Sequence, residues 1–266
     1  MMNHYQSIVI QEMKSKTLRL EAAALTTRGR QRRVNEDAVF YHTEQKDTGE
    51  SLGLFVLCDG MGGHEAGEVA SQMAVQAVAA ELGNIHLADE LPVWPALHHW
   101  MRTAVANANC RIWEYAGLLP ELPGTNEPPQ LGTTITLTLV YGNLAAIANV
   151  GDSRTYLWHE DRLTQITRDH SLVTELVDSG LLPAKSAATH PYRNVLTRGL
   201  GLSEDVTVDL FESKVVPEDK LLLCSDGVWQ AFPDTAELGH QLETTDSPDD
   251  LCWQLIEKAS RRKGSD

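Results

Sequence analysis

The chain has 266 residues, of which 42% are hydrophobic and 22% charged, and its formal net charge is −15. That balance fits a folded chain able to bury one sizeable core, and the negative field argues against nucleic acid as a partner. No apolar run reaches the roughly 18 residues of a membrane span, and the first residues lack the apolar segment of a secretory leader, so a cytoplasmic protein without membrane contact is expected.

Strands are predicted first: TLRLEAAALT (17–26), DAVFYHT (37–43) and LGLFVL (52–57), separated by polar turn residues. Two amphipathic helices follow. In HEAGEVASQMAVQAVAAEL the stripe Ala66, Ala70, Met73, Ala77, Ala80 has helical spacing, and Leu97, Met101, Ala104, Ala108, Ile112, Tyr115 repeats it in the next segment. A Pro- and Gly-rich loop (117–130) returns the chain to sheet. There Ile135, Leu137 and Leu139 alternate with Thr134, Thr136 and Thr138, which predicts a half-buried strand. LAAIANV and SRTYLWHE extend the meander, a short helical pattern at SLVTELVDSG opens an excursion spanning 168–204, and strands DVTVDLFE and KLLLCSD resume. Residues 246–262 predict a third long helix with a Leu251, Leu255, Ile256, Ala259 stripe. This order, with few strand–helix–strand units, argues for antiparallel sheets covered by helices on their outer faces. Cys58, Cys110, Cys224 and Cys252 sit in apolar patterns without CxxC spacing and read as buried thiols.

Two segments echo each other. LFVLCDG (54–60) and LLLCSDG (221–227) are continuous apolar runs that end in Asp-Gly. One such ending reads as turn chemistry, with Asp capping its own backbone. Two weaken that reading, because a carboxylate at the mouth of a buried strand needs a positive charge to offset its desolvation, and neither has Lys or Arg beside it in sequence. Glu36, Asp37 and Asp152 stand at comparable strand ends. Hard oxygen donors without a Cys or His cluster favour Mg²⁺ or Mn²⁺.

These residues lie within a larger pattern. GRQRRVNED (29–37), CDGMGGHEAGEVAS (58–71), GTT (132–134), NVGDSR (149–154), RDHSLV (168–173), HPYRNVLTRGLG (190–201) and CSDGVW (224–229) resemble, in order and approximate spacing, the bacterial PP2C-type (PPM) phosphatases. The resemblance implies an α+β, four-layer α-β-β-α sandwich: two antiparallel sheets flanked by helix pairs, with a flap at about 168–204. The domain would run over 20–266, after an N-terminal extension at 1–19.

By the same resemblance, two Mg²⁺ or Mn²⁺ ions bind per chain, with a weaker third. Asp59 bridges the pair, Gly60 lends its carbonyl and Asp226 is a ligand of the first metal. Asp37 and Glu36 serve the second, largely through water, and Asp152 helps hold the third. Arg32 is the phosphate-binding arginine. The general-acid histidine of animal relatives is Met61 here, and His64 is the candidate acid in its place. His170 and Arg198 take structural roles in the flap. Thr27 stands where many members carry an acid. A last metal-ligating Asp and closing strand are expected at or just beyond Asp266.

The implied reaction is hydrolysis of phosphoserine and phosphothreonine in proteins, on targets of a Ser/Thr kinase, by a monomer. A pseudophosphatase binding module and a small-molecule phosphoesterase are the alternatives.

Overall fold

The computed structural model describes residues 8–14, 18–29, 33–47, 49–62, 66–82, 94–120 and 130–262. Arg32, His64 and Asp266 lie outside the described residues. The strands are β1 (Ile8–Lys14), β2 (Arg19–Leu25), β3 (Asp37–Gln45), β4 (Ser51–Gly62), β5 (Leu131–Thr133), β6 (Ile135–Tyr141), β7 (Leu144–Val150), β8 (Arg154–His159), β9 (Arg162–Gln165), β10 (Asp209–Lys214) and β11 (Lys220–Cys224). The helices are α1 (Ala66–Leu82), α2 (Trp94–Leu118), the short α3 (Leu172–Asp178), α4 (Ala184–Ala187) and α5 (Asp226–Trp229), then α6 (Thr235–Thr244) and α7 (Pro248–Arg262).

One sheet has the order β10-β7-β6-β4-β3, with β5 paired to the end of β4, and the other the order β2-β1-β11-β8-β9. Every pairing is antiparallel. Three apolar layers hold four structural layers together. Leu54, Val56 and Cys58 on one face of β4 pack with Ala70, Val78, Met101 and Ile112 of α1 and α2. Phe55 and Leu57, on its other face, meet Leu157, Leu221 and Leu223 of the second sheet. The outer face of that sheet, with Tyr156, Leu222 and Cys224, is covered by Leu238, Leu242, Leu251 and Leu255 of α6 and α7. The expected α-β-β-α sandwich is the observed one.

That stacking corrects several expectations. All seven residues of β6 are buried, Thr136 and Thr138 included. The threonine face of β6 lies against the second sheet instead of water, and Thr136 Oγ1 lies 2.8 Å from Thr155 Oγ1 of β8, so its hydroxyl is hydrogen-bonded. Residues Ile8–Lys14, read as part of an extension, form β1 between β2 and β11 and pair with both. Ala80 and Tyr115, placed on buried stripes, are exposed, and Ala74 and Ala116 take the inward positions. Cys110 is exposed on α2, whereas the other three cysteines are buried. Helix α6 and strand β9 had no prediction.

Candidate functional site

The antiparallel order brings the ends of β4, β7 and β11 and the start of β3 to one end of the sandwich. Asp37 opens β3 and is the register partner of Asp59 in β4. Asp152 follows β7, and Asp226 follows β11 as the first residue of α5. Four of the aspartates singled out in the sequence thus come from both sheets to one mouth, where Ser225 Oγ donates to Asp37 Oδ2 at 3.0 Å and ties the sheets together.

The backbone of Asp59 is fixed from three sides. Its N–H donates to Thr134 Oγ1 at 3.0 Å, and its carbonyl accepts from Thr134 N–H and Thr133 Oγ1, each at 2.9 Å. Thr134 Oγ1 is also 2.8 Å from Ser153 Oγ, beside Asp152. The GTT segment is therefore a clamp on Asp59. Next along the chain, Gly60 N–H donates to the Glu36 carbonyl at 3.0 Å. A Cβ on Gly60 would stand 2.0 Å from the Gly67 carbonyl oxygen, so only glycine fits between the strand and α1. Glu36 is drawn in as well: its Oε1 is 3.1 Å from where a Gly67 Cβ would be. Met61 Cε is 2.6 Å from where a Gly199 Cβ would be, so Met61 packs toward the flap segment as an apolar contact.

Asp152 is buried, and its loop is held from the flap side. Gly151 N–H donates to His170 Nδ1 at 3.1 Å, and His170 N–H returns to the Gly151 carbonyl at 2.9 Å. His170 Nε2 lies 3.0 Å from Asp209 Oδ2, and Arg198 Nη1 donates to Asp209 Oδ1 at 2.7 Å. Both residues of the flap given structural roles thus meet at Asp209, which the sequence did not single out. On the other side Trp229 Nε1 donates to the Asp152 carbonyl at 3.0 Å, and Gln230 Nε2 donates to Asp226 Oδ2 at 2.8 Å. Arg154 pairs with Asp169 through Nε at 2.9 Å and Nη2 at 2.6 Å, and its guanidinium lies over the Trp229 ring at 3.6 Å.

The electrostatics are those of negative charge in excess. Asp59 is partly accessible at the mouth, yet the protein packed around it pushes its carboxyl well above the usual carboxylate range. Burial is the main cause, followed by the charges of Asp37, Asp226 and Asp152. Asp152 is pushed up to about 7, by burial first and then by Asp226 and Asp169, with Arg154 opposing. The neighbouring Cys58 thiol is raised by burial and then by Asp37 and Asp59. Such a cluster suits divalent cations, which offset several carboxylates at once. Among the described residues no three His, Cys, Asp or Glu side chains close around a single point. Donors that line a common opening match Mg²⁺ or Mn²⁺ chemistry, in which water and substrate phosphate oxygens complete the shell. They do not match the closed cage of a structural zinc.

An α-β-β-α sandwich that gathers aspartates from both sheets at one mouth defines a candidate divalent-cation site. A family model, Protein phosphatase 2C, matches residues 26–248. The chain belongs to the protein phosphatase 2C family. It is 37% identical over 252 residues to the serine/threonine phosphatase stp of Listeria welshimeri, covering 93% of this chain and 92% of that one. The crystal structure of serine/threonine phosphatase Stp1 from Staphylococcus aureus superposes with a TM-score of 0.79 at 34% identity, covering 96% and 93% of the two chains. The catalytic domain of the serine/threonine protein phosphatase PstP, solved in complex with two manganese ions, superposes with a TM-score of 0.75 at 31% identity, covering 97% and 95%.

Proposed function

We propose that this chain hydrolyses phosphoserine and phosphothreonine in proteins at a binuclear Mg²⁺ or Mn²⁺ centre, and that Asp59 bridges the two ions. The supporting observation is the gathering of Asp37, Asp59, Asp152 and Asp226 from both sheets, with Asp59 raised by burial and then by Asp37, Asp226 and Asp152, and Asp152 raised by burial and then by Asp226 and Asp169. In this reading Gly60 offers its carbonyl and Asp226 its carboxylate to the first ion. Asp37 and Glu36 serve the second through water, and Asp152 with Asp226 serves a weaker third. Bound there, divalent cations would neutralise phosphoryl oxygens and acidify a water molecule for in-line attack.

The chain's own residues supply position. The Thr133–Thr134 clamp fixes Asp59, Ser225 fixes Asp37, and the His170–Asp209 pair fixes the Asp152 loop. Arg32 is the phosphate-binding cation of the proposal, suited by its planar two-donor fork, and His64 is the proposed proton donor to the leaving oxygen. Met61 has no proton to give.

The substrates are proteins phosphorylated by a Ser/Thr kinase, and the enzyme acts as a cytoplasmic monomer; among the described residues no helix is long and apolar enough to cross a membrane. The test is hydrolysis of p-nitrophenyl phosphate and of a phosphothreonine peptide in millimolar Mn²⁺, with and without EDTA. Turnover that survives chelation, or turnover of nucleotides in preference to phosphopeptides, would refute the proposal. A folded, Mn²⁺-binding chain with no turnover would make it a binding module instead.

A further inference from the structure

A cavity of about 370 Å³ lies between the flap and the body of the fold. Its flap wall includes Val173 of α3 and Ala184 and Ala188 in and after α4, and its body wall includes Trp229, Phe232 and Pro233. The size falls within the roughly 300–1,000 Å³ of ordinary ligand pockets, and such walls suit an apolar occupant. Asp152 lines the cavity and is also one of the carboxylates acting on Asp59. Cavity and carboxylate mouth are therefore contiguous, and a chain segment whose phosphorylated residue reached the mouth would have its neighbours beside the cavity.

The charges in the walls decide which neighbours. Asp169 and Arg154 both line the cavity and neutralise one another, so the charge left in that wall is that of Asp152, which disfavours a carboxylate or phosphate there. Arg154, which would otherwise attract one, is already committed to Asp169 and to the Trp229 ring. The remaining cation in the lining, Arg193, is exposed on the flap.

We propose that this cavity is a substrate subsite that receives an apolar side chain next to the phosphoserine or phosphothreonine of the target protein. The proposal rests on the protein phosphatase reading above. It makes the flap a selector of sequence as well as a brace for Asp152. The walls presented by Ala184 and Ala188 are short, so the space exists because those side chains stop at Cβ.

The experiment uses the full chain in Mn²⁺ with phosphopeptides that differ at one position, Leu or Phe against Gly, scanned along the three residues on either side of the phosphoresidue. One position is expected to favour the apolar residue by about tenfold or more in kcat/KM, the discrimination a fitted apolar pocket gives. Ala184→Trp and Ala188→Trp, made separately, fill the space; they are expected to erase that preference while p-nitrophenyl phosphate turnover stays unchanged. The proposal is overturned if the wild type shows no apolar preference, if the preference persists in both variants, or if both lose p-nitrophenyl phosphate turnover as well. It is also overturned if a second phosphate is preferred over an apolar residue and Arg193→Ala removes that preference. Failure of the wild type to hydrolyse p-nitrophenyl phosphate at all would instead refute the phosphatase reading, so the two failures are separable.

Discussion

Asp37 and Asp59 are direct register partners at the end of the β3–β4 ladder, two carboxylates where a ladder ordinarily avoids facing like charges. Asp37 also hydrogen-bonds to Asp59 through its side chain and contributes to raising its pKa. The arrangement costs stability in the metal-free protein, and on the proposed function cations would relieve it. Asp59→Asn is therefore expected to act in opposite directions. It should lower Mn²⁺-dependent turnover by more than the roughly 10- to 100-fold typical of losing an outer partner of a metal ligand. In EDTA it should raise the melting temperature by a few degrees, since about 1 kcal/mol shifts a chain of this size by ~2–4 °C. Retained turnover would remove Asp59 from the bridging role, and a lowered melting temperature in EDTA would show that the mutation damages the fold.

Asp152 gives a pH prediction. Its carboxyl is pushed up to about 7 in the folded chain, chiefly by burial, whereas an unfolded aspartate titrates near 3.9, so ~3 units separate the two states. Between those values the metal-free native state binds more protons than the unfolded state. The contribution of Asp152 to stability is then fully present below about pH 4 and is lost as pH rises through about 7, a swing on the order of a few kcal/mol. Urea midpoints in EDTA at pH 5 and pH 8 should fall more steeply for wild type than for Asp152→Asn. Mn²⁺ should restore much of the loss at pH 8, because it binds the native ionised form. Parallel pH profiles for the two proteins would contradict this account.

The flap carries a positioning pair. Since Gly151 N–H donates to His170 Nδ1, the neutral ring keeps its proton on Nε2, facing Asp209. Burial is the main cause lowering the His170 pKa, so the neutral form is the native one. Asp209→Ala should cost about 1–3 kcal/mol, the penalty for leaving a buried donor without its partner. It should also reduce turnover, because the loop that presents Asp152 loses its brace. Nitrogen NMR should report the Nε2–H tautomer in wild type at pH 7; in Asp209→Ala the Gly151 bond to Nδ1 keeps that tautomer, and the Nε2 resonance shifts because its acceptor is gone. An Nδ1–H tautomer in wild type would contradict the hydrogen-bond assignment.

Much of the candidate site was legible in the sequence because its acidic residues stand at strand ends. Continuous apolar runs closing in Asp-Gly located Asp59, Gly60 and Asp226, and the order of elements implied two sheets with helices outside. The parts that were not legible depend on contacts distant in sequence. The alternating threonines of β6 read as a wet face because nothing local reveals that a second sheet covers them. β1 contains Gln11 and Glu12, and its pairing on both sides is a property of β2 and β11. Asp209 looks like an ordinary residue at the start of a strand; it gains a role only because His170, 39 residues away, turns toward it. The short α6 offers Leu238 and Leu242 as its buried apolar anchors, too few for a period to stand out.

Two glycines make the last test, since one is hemmed in by backbone and the other stands in open space. At Gly60 an added Cβ would meet the Gly67 carbonyl oxygen at 2.0 Å, the Gly67 carbonyl carbon at 2.4 Å and the Glu36 carbonyl oxygen at 2.5 Å. All three are backbone atoms, so no side-chain rotation relieves the clash, and β4 would have to move away from α1 and from Glu36. Overpacking typically costs about 1–3 kcal/mol, and a fixed backbone obstacle puts Gly60→Ala at or above the top of that range. At Gly117, within α2, an added Cβ meets nothing within 4 Å. Gly117→Ala should stabilise the chain by about 0.5–1 kcal/mol, because alanine loses less backbone freedom than glycine on entering a helix. Thermal melts of the two variants should move in opposite directions. Because the strain at Gly60 falls between two segments of the proposed metal site, Gly60→Ala should also weaken Mn²⁺ binding by calorimetry at a temperature where it remains folded. A Gly60→Ala protein with wild-type stability and metal affinity would show that the β4–α1 junction is looser than this packing requires.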